Sequence, residues 1–555
     1  MENQNHAHAA SEKLTSGSHD TAWINTVEPL AYSKLMENLD PDVVVIGGGI
    51  AGVTTAYCLS RSGKKVVILE DGFIGSGETG RTTAHLVTAL DDRYYELEHT
   101  FGEKKASLIA ESHREAIDFI EHTSRTEQIP CDFKRVDGYL FLHPSDKEES
   151  ITKELEAATK AGLQVEEVNF MPGMPEHEGR CLRFLNQAQF HPLKYLKGLC
   201  EAIRKNGGAI YTNTHAKEID HTGVLTDEGF RINAKHIVVA TNTPVNNLVV
   251  MHLKQYAYRT YVIAAKIKKG SLPECLWWDT GDFTANENIP PYHYVRTQNL
   301  DDDHDLLIIG GEDHATGLAD IDSRPEEERY AALENWAKQN FKSGEILYRW
   351  SGQVMEPMDG LAYMGRNPMD QNNVYIITGD SGNGMTHATI GALLIDDLIN
   401  NRENKFEDLY DPSRFKAISA GSVFFKEFVG GFRNYMKAKK KDAKDNELDT
   451  LRVNEGKIIE LSGKKYGVFC DENNELHFVG TECTHLKCTV RWNNDEKSWD
   501  CPCHGSRFSY EGKVLNGPAN TGLPYHRETR TTNTSEKADG TVFGTVTNDT
   551  KNQKP

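Results

Sequence analysis

The sequence predicts a large α/β domain with a parallel sheet, followed by a small all-β domain. From Asp42 onward, strand-like and helix-like segments alternate, as they do in an open parallel sheet. The segment KAKKKDAKDNEL, at 437–448, has no apolar periodicity and is typical of a charged linker. After it, GKIIELSGKKYGVFCDENNELHFVG contains short strands separated by turns, which indicates a small β domain.

With 555 residues, the chain is long enough for roughly two to four domains. Its first residues are polar, but the stretch TAWINTVEPLAY carries enough apolar side chains to dock onto a folded body. We predict four parts, which are an N-terminal extension (1–37), the α/β domain (38–420), a connecting segment (421–448) and the β domain (449–545).

The connecting segment begins with apolar residues at helical spacing, beside Lys426 and Arg433. These apolar residues are Val423, Phe424, Phe425, Phe428, Val429, Phe432 and Met436. One interpretation is an amphipathic helix that binds a membrane surface or a partner. The interpretation we favour is a helix whose aromatic stripe packs onto its own domain, followed by the charged linker.

The formal charge of −20 argues against nucleic acid as a partner, since phosphates repel an acidic surface. The N-terminus lacks the apolar core of a secretory signal, and no apolar run approaches the ~20 residues of a transmembrane helix. Five scattered cysteines are typical of buried thiols in a reducing compartment: Cys58, Cys131, Cys181, Cys200 and Cys275. These features predict a cytoplasmic protein.

The stretch DVVVIGGGIAGVTTAYCLSRSGKKVVILE reads as strand, glycine turn, helix and second strand, the pattern of a Rossmann-like dinucleotide site. Gly47 permits the tight turn, Gly49 allows close approach of a pyrophosphate, and Gly52 allows the helix to pack on the strand. The helix N-terminus offers amides to the phosphates. Glu70 ends the second strand, where an acid accepts hydrogen bonds from ribose hydroxyls.

Several stretches after this motif resemble the D-amino-acid oxidase/glycine oxidase-like family of FAD-dependent oxidoreductases, in the family's order and over about residues 38–415. They are GFIGSGETGRTTAHL, NTHAKEID, HIVVATNTP, RWSGQVMEPMDGLAYMG and VYIITGDSGNGMTHATIGALLIDDLI. The resemblance implies FAD as the cofactor, with FAD and substrate subdomains interleaved in sequence. Its implied FAD contacts are Ser76, Gly77, Thr79, Arg81, Thr82, Thr83, Ala216, Ala240, Thr241, Gly382 and Gly384.

The family resemblance also implies oxidation of a C–N bond, with hydride moving from the substrate carbon to the flavin. We identify no carboxylate-binding group, so both an amine and an amino acid remain open as substrates. The catalytic candidates, for each of which a structural role is an equal alternative, are His85, Tyr261, His314 and Arg349.

A dense group of cysteines and histidines lies in ECTHLKC and CPCHGSRF. Structural zinc prefers C-x2-4-C and H-x3-5-H pairs, whereas this chain has C-x-H at Cys483 and His485 and C-x2-H at Cys501 and His504. A set of disulfides alone does not explain the histidines. The mixed spacing resembles the Rieske [2Fe-2S] motif, which implies that the cysteines bind one iron and the histidines the other.

The Rieske resemblance carries two further implications. Cys488 and Cys503 stand where high-potential Rieske proteins have a disulfide, and NGPANTGLP resembles the proline loop that covers the cluster. Ser506 stands where the family donates a hydrogen bond to a cluster sulfur.

The whole chain resembles bacterial FAD-dependent oxidoreductases with a C-terminal Rieske domain, including the YhfW-like proteins, over nearly all of 20–530. Our hypothesis is that the flavin passes electrons to the cluster, which passes them to an unknown acceptor. One alternative is a flavin oxidase that reduces O2 directly while the cluster is structural or senses redox state. A Rieske oxygenase is disfavoured, since it also needs two histidines and a carboxylate for a mononuclear iron, and only His526 follows His504.

Overall fold

The computed structural model describes residues 15–174, 179–246, 251–282, 284, 292–317, 324–414, 448, 451–461 and 463–529. The predicted apolar helix and nearly all of the charged linker lie outside these residues, as do residues 530–545 of the predicted β domain. Among the described helices, none combines the length and the apolar character needed to span a bilayer.

Helices and strands alternate through the first part of the chain, as predicted. The α-helices are α1 (Ile50–Arg61), α2 (Tyr94–Phe101), α3 (Glu103–Thr126), α4 (Glu148–Lys160), α5 (Pro192–Lys205), α6 (Glu326–Phe341), α7 (Gly384–Ile399) and α8 (Glu407–Tyr410). The strands up to the linker are β1 (Val43–Ile46), β2 (Val66–Leu69), β3 (His85–Leu86), β4 (Lys134–Phe141), β5 (Val165–Val168), β6 (Cys181–Gln189), β7 (Ala209–Tyr211), β8 (Ala216–Asp220), β9 (Gly223–Thr226), β10 (Arg231–Asn233), β11 (His236–Val239), β12 (Gln255–Lys268), β13 (Leu276–Asp279), β14 (His293–Asn299), β15 (His304–Ala315), β16 (Ile346–Pro357), β17 (Tyr363–Arg366) and β18 (Val374–Thr378).

A six-stranded sheet in the order β17-β18-β11-β1-β2-β7 forms the nucleotide-binding half, and only β17 runs antiparallel to its neighbour. Val43 and Val45 of β1 pack on the side of α1, α5 and α7, whereas Val44 and Ile46 pack on the side of β9 and β10. Because both faces are covered, the strands are continuous apolar runs. This arrangement brings the carboxyl ends of β1, β2 and β11 to one edge.

A nine-stranded sheet, in the order β16-β12-β15-β14-β13-β4-β6-β3 with β5 paired to β6, forms the other half. Helix α6 packs on its strands β12 and β15, where Tyr330 and Leu333 join Ile263 and Ile309 in one apolar cluster. The opposite face of these strands borders the cavity described below.

The C-terminal part consists of two four-stranded antiparallel sheets, so the predicted fold class of an α/β domain followed by a small all-β domain is confirmed. Its strands are β19 (Gly456–Leu461), β20 (Lys464–Cys470), β21 (Glu475–Gly480), β22 (Arg491–Asn493), β23 (Ser498–Asp500), β24 (Arg507–Ser509), β25 (Val514–Asn516) and β26 (Tyr525–Thr529). The orders are β19-β20-β21-β26 and β22-β23-β24-β25. The predicted metal ligands lie in the loops that precede β22 and β24.

Residues 15–37 pack between the two parts. The Trp23 indole is buried and donates a hydrogen bond to the Thr82 carbonyl, and the Thr21 hydroxyl donates to the Gly80 carbonyl at 2.7 Å. On the other side, the Ser18 amide donates to the Glu496 carboxylate at 2.6 Å. This segment therefore contacts both the loop after β2 and the β domain.

Candidate active site and cluster site

The glycine turn after β1 forms one wall of a large cavity, and two of its residues tolerate only glycine. Gly47 has φ +108°, and a Cβ there would lie 2.3 Å from the Ala240 carbonyl oxygen. A Cβ on Gly52 would lie 1.9 Å from the Gly47 carbonyl oxygen, so this residue lets α1 approach the turn. Gly47 and Gly49 line the cavity. The backbone thus fits a dinucleotide in the way that the motif predicts.

Glu70 lines the same cavity at the end of β2, and its carboxylate also holds the glycine turn in place. Oε2 accepts a hydrogen bond from the Gly48 amide at 2.6 Å, and Oε1 accepts one from the Gly72 amide at 2.7 Å. The sequence predicted a ribose contact for this acid but not its hold on two backbone amides. The carboxylate therefore fixes the shape of the pyrophosphate-binding turn.

We expect Glu70→Gln to weaken FAD binding by roughly tenfold. The glutamine side chain has one acceptor oxygen in place of the two carboxylate oxygens, and a hydrogen bond to a charged group contributes about 1.5–3 kcal/mol. FAD dissociation can be followed by the return of flavin fluorescence. Glu407→Gln, which changes an exposed ion pair with Arg366, is the control and should leave FAD affinity unchanged. Wild-type affinity in Glu70→Gln would contradict this role.

The loop after β2 follows the cavity closely. Of its predicted FAD contacts, those that line the cavity are Gly77, Thr79, Arg81, Thr82 and Thr83. Ser76 does not line the cavity; it is fully buried, and its hydroxyl lies 2.7 Å from the Thr15 hydroxyl. Arg81 lines the cavity, and its guanidinium donates hydrogen bonds to the Ser351 and His19 carbonyls and to the Glu496 carboxylate.

The remaining predicted FAD contacts come from three other segments, and all of them line the cavity: Ala216, Ala240, Thr241, Gly382 and Gly384. Helix α7 begins at Gly384, so its first amides face the cavity region. Gly382 has φ +69°, and a Cβ there would lie 2.0 Å from the Asp91 carboxylate. This turn therefore lies directly beside Asp91.

Only His85 of the four catalytic candidates lines the cavity. Its Nδ1 lies 3.0 Å from the Thr83 hydroxyl. Burial, together with the charge of Arg296, lowers the pKa of His85 to about 3, so the ring is neutral. A neutral ring in this position orients its neighbours and does not supply a cation.

Of the four catalytic candidates, Tyr261, His314 and Arg349 do not line the cavity. The Tyr261 and His314 rings stack on each other, with centroids 5.7 Å apart, on the α6 side of the sheet. Arg349 pairs with Glu327 and Glu334 of α6. In β12 and β15, the residues that face the cavity lie an odd number of positions from those predicted, since successive side chains in a strand point to opposite faces. They are Tyr258 and Thr260 in β12 and Asp313 in β15.

The cavity residues that the sequence reasoning missed are two carboxylic acids and four aromatic residues: Asp91, Asp313, Tyr258, Trp278, Tyr292 and Tyr294. Tyr258 and Asp313 are each near a predicted candidate in the same strand. The alternation of side chains along TYVIAAKI and DLLIIGGEDHA assigns residues to the two faces of each strand. It does not say which face α6 covers and which face borders the cavity.

The four predicted metal ligands converge at one end of the β domain. The Cys483 and Cys501 side chains are buried, and the His485 and His504 rings lie with centroids 5.0 Å apart. The Cys501 thiol and the Ser506 hydroxyl hydrogen-bond to Cys483. Together with backbone hydrogen bonds from His485 and Leu486, these contacts, that of Cys501 first, lower the pKa of Cys483 to about 6 despite burial. Two sulfurs, one already favoured as a thiolate, and two imidazoles fit a [2Fe-2S] cluster.

The two ligand loops are tied together by the disulfide between Cys488 and Cys503, the pair that the resemblance implied. Within the first loop, the Cys483 amide donates to the Cys488 carbonyl at 2.8 Å. Within the second, the Cys501 amide donates to the Ser506 carbonyl at 2.8 Å. The Ser506 side-chain oxygen accepts from the Ala519 amide at 3.0 Å, which joins the proline loop to the same site.

Comparison with known proteins identifies the family of each part of the chain. Residues 42–398 match the FAD dependent oxidoreductase family, and residues 440–527 match the Rieske [2Fe-2S] domain. The chain belongs to the FAD dependent oxidoreductase family. We refer to the two matched ranges as the FAD domain and the Rieske domain; the first binds FAD and the second binds a [2Fe-2S] cluster.

Relatives of this FAD-dependent oxidoreductase include the Bacillus subtilis (strain 168) protein YhfW, named as a Rieske 2Fe-2S iron-sulfur protein, which is 32% identical over 92% of this chain and 98% of its own length. Gamma-glutamylputrescine oxidoreductase of Escherichia coli (strain K12) is 26% identical and covers 68% of this chain and 87% of its own. The crystal structure of glycine oxidase from Geobacillus kaustophilus has a TM-score of 0.55 at 15% identity, over 68% of this chain and all (100%) of that one, and it supports the fold.

The Rieske domain forms part of the wall of the FAD cavity. The Rieske residues that line the cavity are Val514, Leu515, Asn516, Gly517, Ala519 and Asn520. The Asn520 side chain donates to the Ala216 and Lys217 carbonyls, each at 2.9 Å. The proline loop thus lies between the cluster ligands and the cavity.

A second contact between the FAD and Rieske domains involves the ligand histidines themselves. His252 of the FAD domain is buried, and its ring centroid lies 4.8 Å from that of His485 and 6.2 Å from that of His504. The His252 Nδ1 lies 3.4 Å from the Thr243 hydroxyl, which accepts from the Gln255 amide at 3.2 Å. Gln255 in turn accepts from Thr378, a residue of the cavity wall.

Glu496 of the Rieske domain forms charged contacts with the FAD domain. Its fully buried carboxylate lies 3.1 Å from the Arg259 guanidinium and 3.3 Å from that of Arg81, and it accepts from the Ser351 hydroxyl at 2.6 Å. Burial raises the pKa of Glu496, but the opposing effects of Arg81, His19 and Arg259 are larger. The pKa of Glu496 therefore lies well below its ordinary value. The carboxylate is therefore ionised and compensates two buried cations.

Proposed function

We propose that this protein oxidises a C–N bond at FAD and passes the electrons through its Rieske cluster to an external acceptor. The substrate class is an amine or amino acid, whose carbon gives up a hydride and whose nitrogen gives up a proton, leaving an imine. Bound FAD would supply a two-electron acceptor for the hydride, and a cluster held by Cys483, His485, Cys501 and His504 would supply a one-electron carrier. The acceptor is a one-electron carrier.

The observation that carries this proposal is the shared wall between the two sites. Residues 514–520 of the Rieske domain line the cavity, and Gly505, between His504 and Ser506, accepts a hydrogen bond from the cavity residue Gln353 at 3.0 Å. The second ligand loop and the cavity wall are thus in direct contact. A domain that served only stability would have no need to place its ligand loops on this side.

The names of several similar proteins support the C–N bond as the point of reaction. They include gamma-glutamylputrescine oxidoreductase, glycine oxidase and L-proline dehydrogenase, whose named substrates all carry an amine nitrogen. Anaerobic screening of amines and amino acids, with flavin bleaching as the signal, tests this part of the proposal. Absence of bleaching with every member of both classes would contradict it.

The relay itself can be tested without a substrate. We expect that light-driven reduction of the flavin under anaerobic conditions produces the EPR signal of the reduced Rieske cluster, because the cluster draws electrons from the flavin. A cluster that stays oxidised beside a fully reduced flavin would contradict the relay.

In Cys483→Ala, which removes one cluster ligand, we expect flavin reduction to be unchanged and electron transfer to an added one-electron carrier to fall by at least about tenfold. Cys470→Ala is the matched control, since Cys470 is a buried cysteine of the same domain outside the cluster site. Undiminished carrier reduction in Cys483→Ala, together with undiminished peroxide formation, would instead support direct reduction of O2 by the flavin.

A further inference from the structure

The end of the cavity beside Asp91 has an unusual combination of side chains. Aromatic residues and carboxylic acids share this region: Tyr258, Trp278, Tyr292, Tyr294, Asp91 and Asp313. The Tyr292 hydroxyl donates to the Asp91 carboxylate at 2.9 Å, and the Tyr294 and Thr260 hydroxyls lie 2.6 Å apart. Aromatic faces and carboxylates are the groups that bind organic cations.

Asp313 is the strongest indication of a ligand. Its side chain lines the cavity and is 1% exposed, and no described residue forms a hydrogen bond with its Oδ1. Burial, opposed by a hydrogen bond from Thr260 and reinforced by the charge of Asp91, raises the pKa of Asp313 to about 7. A buried carboxyl oxygen without a partner is costly, so its retention in a cavity favours a ligand that supplies the partner.

Asp91 extends the same acidic surface toward the turn before α7. Its side chain is accessible from the cavity and lies against Gly382 of that turn. Desolvation by the surrounding protein raises the pKa of Asp91 as well, against the hydrogen bond from Tyr292 and the charge of Arg93. Two carboxyl groups therefore point to the same region, and a bound cation would offset their repulsion.

Among the described residues at this end of the cavity, none is a cation that could pair with a substrate carboxylate. Arg81 is the only described arginine or lysine that lines the cavity, and the Arg81 guanidinium is bound by Glu496. His215, which also lines the cavity, lies 3.4 Å from the Asp71 carboxylate. Burial lowers the pKa of His85 to about 3 and that of His387 to about 4, so both rings are neutral. An α-carboxylate in this region would face carboxyl groups, and the described part of the chain supplies no positively charged partner for it there.

We propose that this end of the cavity binds an organic ammonium ion without a carboxylate near the reacting carbon, held by Asp313, Asp91 and the ring of Tyr258. The inference rests on the proposed function and selects the amine from its two substrate classes. The ammonium group supplies the hydrogen-bond donor that Asp313 Oδ1 lacks, and the aromatic walls enclose the adjoining carbon chain.

The test uses benzylamine and benzoate, which share a phenyl ring and differ in the sign of their charge. Each is titrated into the oxidised holoenzyme, and binding is read from the change in the flavin absorption spectrum. We expect benzylamine to bind at least about tenfold more tightly than benzoate, because only the ammonium ion pairs with the buried carboxylates.

In Asp313→Asn, we expect benzylamine to bind at least about tenfold more weakly and benzoate to bind no more weakly than in the wild type. Asp305→Asn, at the other end of β15, is the control and should leave both affinities unchanged. FAD content is measured in each variant, and the wild-type comparison stands even where a variant does not fold.

Benzoate binding at least as tight as benzylamine binding, no spectral response to either compound, or an unchanged preference in Asp313→Asn would each contradict the inference. The titration involves no electron transfer. Its failure would therefore leave the relay to the cluster untouched, and failure of the relay would not alter the charge preference of the site.

Discussion

Replacing Glu496 by alanine is expected to destabilise the folded protein by about 3–5 kcal/mol, because the change leaves buried cations without their counter-ion. The Arg81 and Arg259 side chains are both fully buried, and each lies within 3.3 Å of the Glu496 carboxylate. The variant also loses the hydrogen bonds from the Ser351 hydroxyl and the Ser18 amide. These contacts join the FAD domain, the Rieske domain and the N-terminal segment at one point.

The free energy of unfolding, measured by urea denaturation with the flavin and cluster absorbance as separate signals, checks this expectation. Glu511→Ala is the matched control, since Glu511 belongs to the same domain but pairs with Lys513 at the surface. We expect that change to cost less than about 1 kcal/mol. Equal effects of the two substitutions would show that the buried ion pairs do not hold the domains together.

The pH dependence gives a second check on Glu496. Its pKa is lowered well below the ordinary value of 4.5 on folding. A carboxylate of this kind stabilises the folded state above its unfolded pKa, and the stabilisation disappears as pH falls through the folded pKa. The difference in unfolding free energy between the wild type and Glu496→Ala should therefore persist at neutral pH and shrink only below about pH 4.5.

The same variant separates docking from cluster assembly. Glu496 lies in the turn between β22 and β23 and is not among the predicted ligands. We expect Glu496→Ala to retain the EPR signal of the Rieske cluster while electron transfer from the reduced flavin slows. Loss of the cluster with unchanged domain contacts would contradict a docking role.

Features fixed by a few neighbouring residues could be predicted from the sequence. The turn at Gly47, Gly49 and Gly52 follows from the strand and helix on either side of it, and the structure places it on the cavity. The ligand spacing around Cys483 and Cys501 is likewise local, because each loop of the pair is only a few residues long. In both cases the short chain between the groups limits the geometry.

Features that depend on the pairing of distant strands could not be predicted in the same way. The sequence offers Tyr261 and His314 as candidates, but Tyr258 and Asp313 face the cavity, because the orientation of a strand is decided by what packs against it. Glu496 and Arg81 are 415 residues apart in sequence, and no local pattern links them. The domain contact therefore becomes visible only in the folded chain.

Gly505, in the second ligand loop, allows a test of the docked geometry from the cluster side. It has φ +78°, and a Cβ there would lie 2.4 Å from the Cβ of Ala257 in the FAD domain. Gly505→Ala therefore introduces both a left-handed alanine, at about 1–2 kcal/mol, and an overpacked contact between domains, at about 1–3 kcal/mol. We expect the Rieske domain to move away from the cavity and electron transfer to slow.

Gly463→Ala is the control that measures the cost of a left-handed alanine without a clash. Gly463 has the same φ of +78°, and a Cβ added there would have no atom within 4 Å. The decisive variant is the double substitution Gly505→Ala with Ala257→Gly, which removes the clashing methyl group from the other domain. Ala257→Gly relieves only the overpacked contact between the domains and leaves the backbone strain of Gly505→Ala in place. We therefore expect the double variant to regain about 1–3 kcal/mol of unfolding free energy and most of the rate of electron transfer. If Ala257→Gly restored neither, the damage from Gly505→Ala would lie within the ligand loop, and the close approach of the two domains would not control transfer.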